Sequence, residues 1–188
     1  MTNSLQPDPP PATGVIWLNG TFGSGKTTAA RELMSLIPGS RILDSEQIGF
    51  LLRDVLTPET VSDFQDWPPW RALVVATATE VLAYTGGYVI IPQSVLVQQY
   101  WQEIRNGFDI AEVAVHHMVL HAAREELVRR IEADTVETTA RQWRLDHLDA
   151  YEAADAWHRH EAHIIDTTRL RPQEVAARIA TAAGVSVD

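Results

Sequence analysis

The stretch Gly20-Thr-Phe-Gly-Ser-Gly-Lys-Thr27 decides the fold predicted for this chain, because it matches the phosphate-binding loop pattern G-x-x-x-x-G-K-[S/T] in full. The apolar run at 15–18 is typical of a buried strand, and the residues from Lys26 to Ile37 have the pattern of a helix. Strand, glycine-rich turn and helix form the context in which such a loop binds phosphate. We therefore expect a nucleoside triphosphate to bind at this loop.

The residues of the loop have separate predicted roles. Its glycines let backbone N–H groups turn towards a phosphate, Lys26 would contact the β- and γ-phosphates, and the Thr27 hydroxyl would ligate Mg²⁺. Lys26 is the only lysine among 15 lysines and arginines, which favours a specific use of its flexible ammonium group. The predicted nucleotide-binding residues are the loop, the residue after it and one distant arginine: Gly20, Thr21, Phe22, Gly23, Ser24, Gly25, Lys26, Thr27, Thr28 and Arg130.

The composition of the 188 residues limits the kinds of protein that this chain can be. Four prolines in residues 1–13 predict a flexible tail, and residues 14–188 are long enough for a single domain. The net charge of −10 argues against a nucleic-acid partner. No apolar run reaches the length of a transmembrane helix, and the lack of cysteine is compatible with the cytoplasmic location that we expect.

Strand and helix patterns alternate along the whole chain. The predicted strands are at 14–19, 41–44, 88–91, 112–121 and 163–166. The predicted helices are at 26–37, 46–55, 70–84, 98–105, 123–131, 140–158 and 172–183, with a turn at Asn106-Gly107. This alternation predicts a three-layer α/β fold in which helices flank a five-stranded parallel sheet. Because ligands bind beyond the carboxyl ends of the strands in such sheets, the residues that follow the strands are candidates for the site.

Asp44 follows the second predicted strand and should therefore lie close to the phosphate loop. Its carboxylate could receive a proton from a substrate hydroxyl, or hold Mg²⁺ through water. The alternative is that Asp44 caps the helix that follows it. The third predicted strand ends in Pro92-Gln93-Ser94, without the acidic residue that normally completes the metal site of such proteins. Gln93 could hydrogen-bond a substrate, or it could be an ordinary polar residue of a loop.

Two pairs of arginines flank the polar segment 132–139. Arg129 and Arg130 precede this segment, and Arg141 and Arg144 follow it. The pattern predicts a short lid at about 132–144 that closes over the nucleotide, with Arg130, Arg141 and Arg144 joining Lys26 and Asp44 as catalytic candidates. The alternative is a solvated surface of mixed charge.

The region between the second and third strands is rich in aromatic residues and predicts the acceptor site. Asp44, Arg53, Phe64, Trp70 and Gln93 are the candidate substrate-binding residues, although aromatic residues more often serve core packing. The histidines do not follow a familiar metal-ligand spacing, so we expect them to be structural or at the surface.

The assembled pattern resembles the small P-loop kinases, a group that includes nucleoside-monophosphate, shikimate and gluconate kinases and chloramphenicol phosphotransferase. The residues that carry this resemblance are Gly20–Thr27, Asp44, Leu127-x-x-Arg130 and the final strand and helix. The chain is more specifically similar to the tunicamycin-resistance family of ATP-binding proteins. That similarity lies in residues 16–27, in Asp44-x-Glu46-x-x-Gly49-Phe50-x-Leu52-Arg53, in Asp63-Phe64-Gln65 and in Trp70-Arg71-Ala72.

This resemblance implies an ATP-dependent protein that confers resistance to tunicamycin, a nucleoside antibiotic. By similarity to the kinases, the chain would transfer a phosphoryl group from ATP to a hydroxyl of tunicamycin or a similar uridine-containing compound. Asp44 would be the base, Thr27 and Asp44 would hold Mg²⁺, and Arg130 would contact the nucleotide. The alternative is an ATP-binding protein that sequesters the drug without modifying it.

Overall fold

The computed structural model describes residues 13–56, 61–135 and 140–185. Five parallel strands form one sheet in the order β2-β3-β1-β4-β5. The strands are β1 (Gly14–Asn19), β2 (Arg41–Ile42), β3 (Tyr88–Pro92), β4 (Val115–His121) and β5 (His163–Asp166). The helices are α1 (Lys26–Leu36), α2 (Glu46–Val55), α3 (Pro68–Thr85), α4 (Gln98–Ile110), α5 (Arg124–Ala133), α6 (Arg141–Glu161) and α7 (Pro172–Ala182), with a 3-10 turn at Phe64–Asp66. The five-stranded parallel sheet between helices is confirmed.

The first strand lies at the centre of the sheet because it is apolar on both faces. Its residues 15–18 are fully buried. Ile16 pairs with Ile90 of β3 on one side and with His116 of β4 on the other. The loop that follows β1 therefore begins at the middle of the carboxyl edge of the sheet, where ligands bind in folds of this kind.

Alternating side chains of the central strand face two different layers of helices. Ile16 and Leu18 pack with α1 and α7. Val15 and Trp17 pack against α2, α3 and α4. A third group of buried residues joins β4 to α5 and α6, next to the phosphate loop. The helices that carry the predicted acceptor residues and those that carry the lid arginines thus lie on different sides of the loop.

The turn predicted at Asn106-Gly107 is wrong, because α4 continues to Ile110. A β-carbon on Gly107 would lie only 3.1 Å from both γ-carbons of Val75. Glycine at this position lets α4 pack closely against α3, and that packing outweighs its low helix propensity.

Two strands are shorter than predicted. In β2, only Arg41 and Ile42 belong to the strand, since the chain turns at Asp44 to begin α2. In β4, the strand starts at Val115, because Glu112 adopts a left-handed backbone conformation (φ 55°) after α4.

Residues 1–12 of the predicted tail and 136–139 of the predicted lid lie outside the described residues. In the ranges that the structure covers, no helix is both long and apolar enough to cross a membrane.

Candidate active site

The phosphate loop joins β1 to α1 through three glycines with positive φ. Gly20 has φ 133°, and a β-carbon there would lie 2.5 Å from Leu120 O. Gly25 has φ 94° and directly precedes the first residue of α1. The loop therefore needs glycine for its backbone, and it ends at the positive N-terminus of a helix. This geometry fits a bound phosphate.

Lys26 lies over the loop that precedes it. Its Nζ donates hydrogen bonds to Gly20 O (3.0 Å) and Thr21 O (2.8 Å). Burial lowers the pKa of Lys26 to about 7, an effect that Glu46 opposes and Arg144 reinforces. The site thus holds an ammonium group that has lost part of its hydration, and a nearby phosphate would stabilise its charged form.

Arg130 of α5 connects the phosphate loop to the residues after β5. Its guanidinium donates to Gly23 O (3.2 Å), to Thr167 O (2.9 Å) and to Glu126 Oε1 (2.7 Å). Hydrogen bonds from Arg129 and Arg130 lower the pKa of Glu126 to about 2. The predicted nucleotide contact is therefore a half-buried cation that also holds the loop in place.

The start of α6 covers the phosphate loop through aromatic contacts. Phe22 lies 4.9 Å from the Trp143 ring and 5.7 Å from the His147 ring, centroid to centroid. The Arg144 guanidinium lies 5.5 Å from the Phe22 ring centroid and pairs with Asp134 at 2.7 Å. Sequence reasoning placed Phe22 in the nucleotide site but missed Trp143 and the contact between them, which joins residues far apart in the chain.

The lid arginines do not all reach the same place. Arg130 and Arg144 line the cleft above the loop, together with Arg129. Arg141 is exposed and is not among the residues that line the cleft. The structure therefore brings two of the three predicted lid arginines to the site.

Asp44 directly precedes Ser45, the N-cap residue of α2, and lines the cleft. Its carboxylate accepts hydrogen bonds from the Glu46 N–H (3.1 Å) and from Gln47 Nε2 (3.1 Å). A structural role in the first turn of α2 and a role in the site are thus compatible, because these hydrogen bonds fix an exposed carboxylate at the edge of the site.

The donor set suits Mg²⁺. Thr27 and Asp44 line the same cleft and offer a hydroxyl and a carboxylate, the oxygen ligands that this ion prefers alongside water and phosphate. Among the described residues, no three histidine or acidic side chains are grouped as a metal site made by protein alone.

Gln93 occupies the position after β3 where an acidic residue was missing. Its Oε1 accepts a hydrogen bond from Ser45 Oγ at 2.8 Å, and its Nε2 donates to Ser94 O at 3.2 Å. Gln93 also lines the cleft. Its side chain therefore links the end of β3 to the start of α2 at the edge of the site.

The predicted acceptor region contains an aromatic wall formed by Phe50, Phe64 and Trp67. The Arg53 guanidinium lies 5.3 Å from the Phe50 ring centroid and 4.8 Å from that of Phe64. Phe64 stacks on Trp67 at 6.1 Å and packs on Gly49, where a methyl group would overlap its ring. All of these except Gly49 line the cleft.

Trp70 does not reach the cleft. It is 1% exposed, and its indole N–H donates to Ser45 O at 3.0 Å. Trp70 is therefore a core residue that supports the start of α2. Its ring packs in the apolar layer that α2, α3 and α4 form on one face of the sheet.

Arg71 supports the aromatic wall, a role that sequence reasoning missed. Its side chain is 7% exposed, pairs with Glu103 at 2.6 Å and donates to Gln65 O in the 3-10 turn. Its guanidinium also lies 4.3 Å from the Tyr100 ring centroid. The available signal was the block Trp70-Arg71-Ala72, which lies next to an aromatic-rich segment.

One cleft of about 1890 Å³ connects the phosphate loop to the aromatic wall. Arg130 and the residues after β5 line one end, and Phe64 and Arg53 line the other. Asp44, Glu46 and Gln93 line it as well. Such a cleft exceeds the roughly 300–1,000 Å³ of a site for one small ligand, so it has room for a nucleotide and an acceptor together.

Fold and site define the class of this protein as a P-loop enzyme with the architecture of small-molecule kinases, and its loop is that of a nucleotide-binding protein. The chain belongs to the family described as AAA domain (AAA_33), whose model matches residues 15–154. Among solved structures it is similar to the tunicamycin resistance protein of Deinococcus radiodurans. The identity is 27% and the TM-score 0.71, over 93% of this chain and 98% of that one.

Two kinases show the same fold at lower identity. A sugar kinase from a Janibacter species is 19% identical, with a TM-score of 0.65 over 93% of this chain and 96% of the other. Shikimate kinase from Acinetobacter baumannii is 19% identical, with a TM-score of 0.60 over 90% of this chain and 92% of the other. No curated protein matches the sequence. The resemblance to small P-loop kinases and to a tunicamycin resistance protein is confirmed.

Proposed function

We propose that this protein transfers the γ-phosphoryl group of ATP to a hydroxyl of a nucleoside-type acceptor and thereby confers resistance to tunicamycin. The observation that carries the proposal is the single cleft that joins the phosphate loop to the aromatic wall. The likeness to the Deinococcus radiodurans tunicamycin resistance protein supports tunicamycin, or a similar uridine-containing compound, as the acceptor.

In this proposal, charged groups that line the cleft assist the transfer step. The acceptor hydroxyl oxygen forms a bond to the γ-phosphorus, the bond from that phosphorus to the β–γ bridging oxygen breaks, and ADP leaves. The hydroxyl proton passes to the Asp44 carboxylate. Lys26, Arg130 and Arg144 neutralise the charge of the phosphates. Thr27 and, through water, Asp44 would hold Mg²⁺, which neutralises further phosphate charge when bound.

The acceptor lies against the aromatic wall in this proposal. Arg53 and Phe64 contact it directly, and Gln93 offers it an amide at the end of β3. Trp70 acts only by supporting α2, because it is buried away from the cleft.

A second candidate function is ATP-dependent sequestration of the drug without chemical change. The residue after β3 favours this function. Gln93 occupies the position where an acidic residue would complete the metal site, and its side-chain oxygen accepts a hydrogen bond from Ser45. A site with an incomplete metal shell can still bind both ligands.

Mass spectrometry of tunicamycin after incubation with protein and Mg·ATP separates the two functions. A mass gain of one phosphate, lost in Asp44→Asn and Lys26→Ala, supports transfer. Asp54→Asn is the matched control, because Asp54 is an exposed carboxylate on α2, the helix that follows Asp44, and does not line the cleft. Tight binding of tunicamycin without a mass gain would establish sequestration instead, and absence of both would exclude tunicamycin as the ligand.

A further inference from the structure

A buried amide lies at the point where β1 becomes the phosphate loop. Asn19 is fully buried, and its Oδ1 accepts hydrogen bonds from the N–H groups of Gly20 (2.8 Å) and Val95 (2.9 Å). Its Nδ2 donates to Val95 O at 2.9 Å. One side chain therefore ties the first residue of the loop to the segment after β3.

His117 of β4 supplies one of the contacts that orient this amide. Its Nδ1 lies 3.1 Å from Glu161 O, which can only accept, so Nδ1 carries the ring proton. Nε2 of His117 is then an acceptor at 3.3 Å from Asn19 Nδ2. Nε2 of His158 lies at the same distance from Asn19 Nδ2, but it also lies 3.3 Å from Val95 O, to which it donates its proton, so the second amide hydrogen goes to His117. A flipped Asn19 amide would place its oxygen against this acceptor and its nitrogen against two N–H groups, so the neutral ring and the two N–H groups favour the same orientation.

The surroundings of His117 keep its ring fixed and neutral. It is 6% exposed and stacks on Trp101 with 3.7 Å between ring centroids. The titratable groups that face it are His158 of α6 and Arg105 of α4. Burial, with a smaller contribution from these two groups, lowers the pKa of His117 to about 3.

We propose that His117 is a positioning residue for nucleotide binding, because through Asn19 it holds Gly20 in the conformation that binds phosphate. Gly20 is a point at which several contacts meet: its carbonyl accepts hydrogen bonds from Lys26 Nζ (3.0 Å) and Ser94 Oγ (2.6 Å). A shift of Gly20 therefore also shifts the ammonium group of Lys26. This inference rests on the nucleotide site of the proposed function and adds a residue on a neighbouring strand that does not touch the loop.

The first test compares His117→Phe with His116→Phe by calorimetric titration of the non-hydrolysable analogue Mg·AMPPNP. Phenylalanine at 117 keeps a flat ring for the stack on Trp101 and removes both hydrogen bonds. We expect the Kd to rise about tenfold, as for the loss of one buried hydrogen bond. His116 is the matched control, because it lies on the same strand and faces Tyr88 on the opposite side of the sheet, with 6.0 Å between ring centroids. Its variant should keep the wild-type Kd.

The second test changes which side chain, that of residue 19 or that of His117, must donate the hydrogen bond between them. In Asn19→Asp the new carboxylate cannot donate to Nε2 of a neutral His117, but it can accept from a protonated one, and its negative charge raises the pKa of that ring above the low wild-type value. The affinity of this variant for Mg·AMPPNP, relative to wild type, should therefore rise as the pH falls from 8 to 6. A merely structural role of Asn19 would lower affinity without this dependence on pH.

The outcomes are distinguishable from those for the proposed function. A His117→Phe variant with native circular dichroism and wild-type affinity would overturn the inference, and so would an Asn19→Asp variant whose pH profile parallels that of wild type. If His117→Phe does not fold, the Asn19→Asp profile decides alone. A wild-type protein that binds no Mg·AMPPNP contradicts the proposed ATP site instead.

Discussion

At the scale of single residues, the protonation state of Lys26 depends on the groups that its side-chain nitrogen contacts. Lys26 donates to two carbonyl groups of its own loop, which are weak substitutes for the anionic oxygens of a phosphate. Burial lowers its pKa to about 7, so near neutral pH the empty site holds a mixture of ammonium and amine. Phosphate binding favours the ammonium form, and the two events are therefore linked.

The first prediction is that nucleotide binding takes up a proton at Lys26. With a pKa of about 7 in the empty site, roughly 0.9 of the lysine is neutral at pH 8 and becomes charged when phosphates bind. Calorimetric titration of Mg·ATP at pH 8, in buffers that differ in ionisation enthalpy, should show an uptake that approaches one proton per site. Uptake should fall as the pH is lowered towards 6, where the lysine is already charged.

The variant Lys26→Met supplies the control for this measurement. Any nucleotide that it still binds should bind without the pH-dependent uptake. A wild-type protein that takes up no proton at pH 8 would show that Lys26 is fully charged in the empty site.

At the scale of secondary structure elements, the acceptor side of the cleft is held by contacts between α3, α4 and the 3-10 turn. Asp63 caps this turn by accepting from the Gln65 N–H at 3.0 Å, and Tyr100 of α4 donates to Asp66 at 3.1 Å. Arg71 of α3 connects Glu103 and the Gln65 carbonyl behind the wall. The position of Phe64 in the cleft thus depends on a buried cation outside the cleft.

The second prediction concerns the replacement of Arg71 by methionine, which keeps the apolar stem and removes the guanidinium. The change leaves Glu103 and the Gln65 carbonyl without their shared donor. We expect the free energy of unfolding to fall by about 2 kcal/mol, less than for a fully buried pair because Glu103 is 41% exposed. Urea denaturation followed by circular dichroism measures this change.

Arg105→Met is the matched control for Arg71. Arg105 lies on α4 and pairs with Asp109 at 3.0 Å, but both side chains are about half exposed (44% and 54%). Pairs of this kind contribute below about 1 kcal/mol, so the control should unfold close to wild type. Equal effects of the two substitutions on the free energy of unfolding would mean that burial does not increase the contribution of Arg71 to stability.

At the scale of the whole molecule, local sequence patterns predicted which elements form, and long-range packing decided how they are placed. The apolar run 15–18 and the glycine pattern of the loop are local, so the central strand and the phosphate loop were predictable. The order of the strands was not, because it depends on contacts between residues far apart in the chain. Gly107 shows the same limit, since its effect depends on Val75 in another helix.

The residues of the candidate site also differ in whether the sequence alone could predict them. Asp44, Phe64 and Arg130 could be found because they follow strands or belong to short motifs, and each lines the cleft. Trp70 was placed in the acceptor region by composition, yet tertiary packing buries it in the core. Arg141 lies one helical turn from Arg144 in sequence and still does not line the cleft. Composition and spacing therefore identify a region, but side-chain direction separates the residues within it.

The loop is tied to the rest of the molecule at several places, so nucleotide binding should stabilise the whole fold and not only the loop. Gly20 packs against Leu120 of β4, Arg130 of α5 holds Gly23, and the Thr167 hydroxyl after β5 donates to Ser24 O at 3.3 Å. Opening the loop requires breaking contacts to three other elements. Binding free energy should thus appear in global unfolding.

The third prediction is a single, shifted thermal unfolding transition in the presence of Mg·ATP. A ligand at one hundred times its Kd adds about 2.7 kcal/mol to the free energy of unfolding, which for a chain of this length raises the Tm by roughly 5–11 °C in differential scanning calorimetry.

The calorimetric shift should be smaller with ATP and EDTA, because Thr27 and Asp44 then have no ion to hold against the phosphates. Lys26→Met should lose most of the shift, whereas Arg105→Met should keep it, because Arg105 does not line the cleft. Equal shifts with and without Mg²⁺ would exclude the metal site proposed at Thr27 and Asp44, and two separate transitions would show that the loop unfolds independently of the sheet.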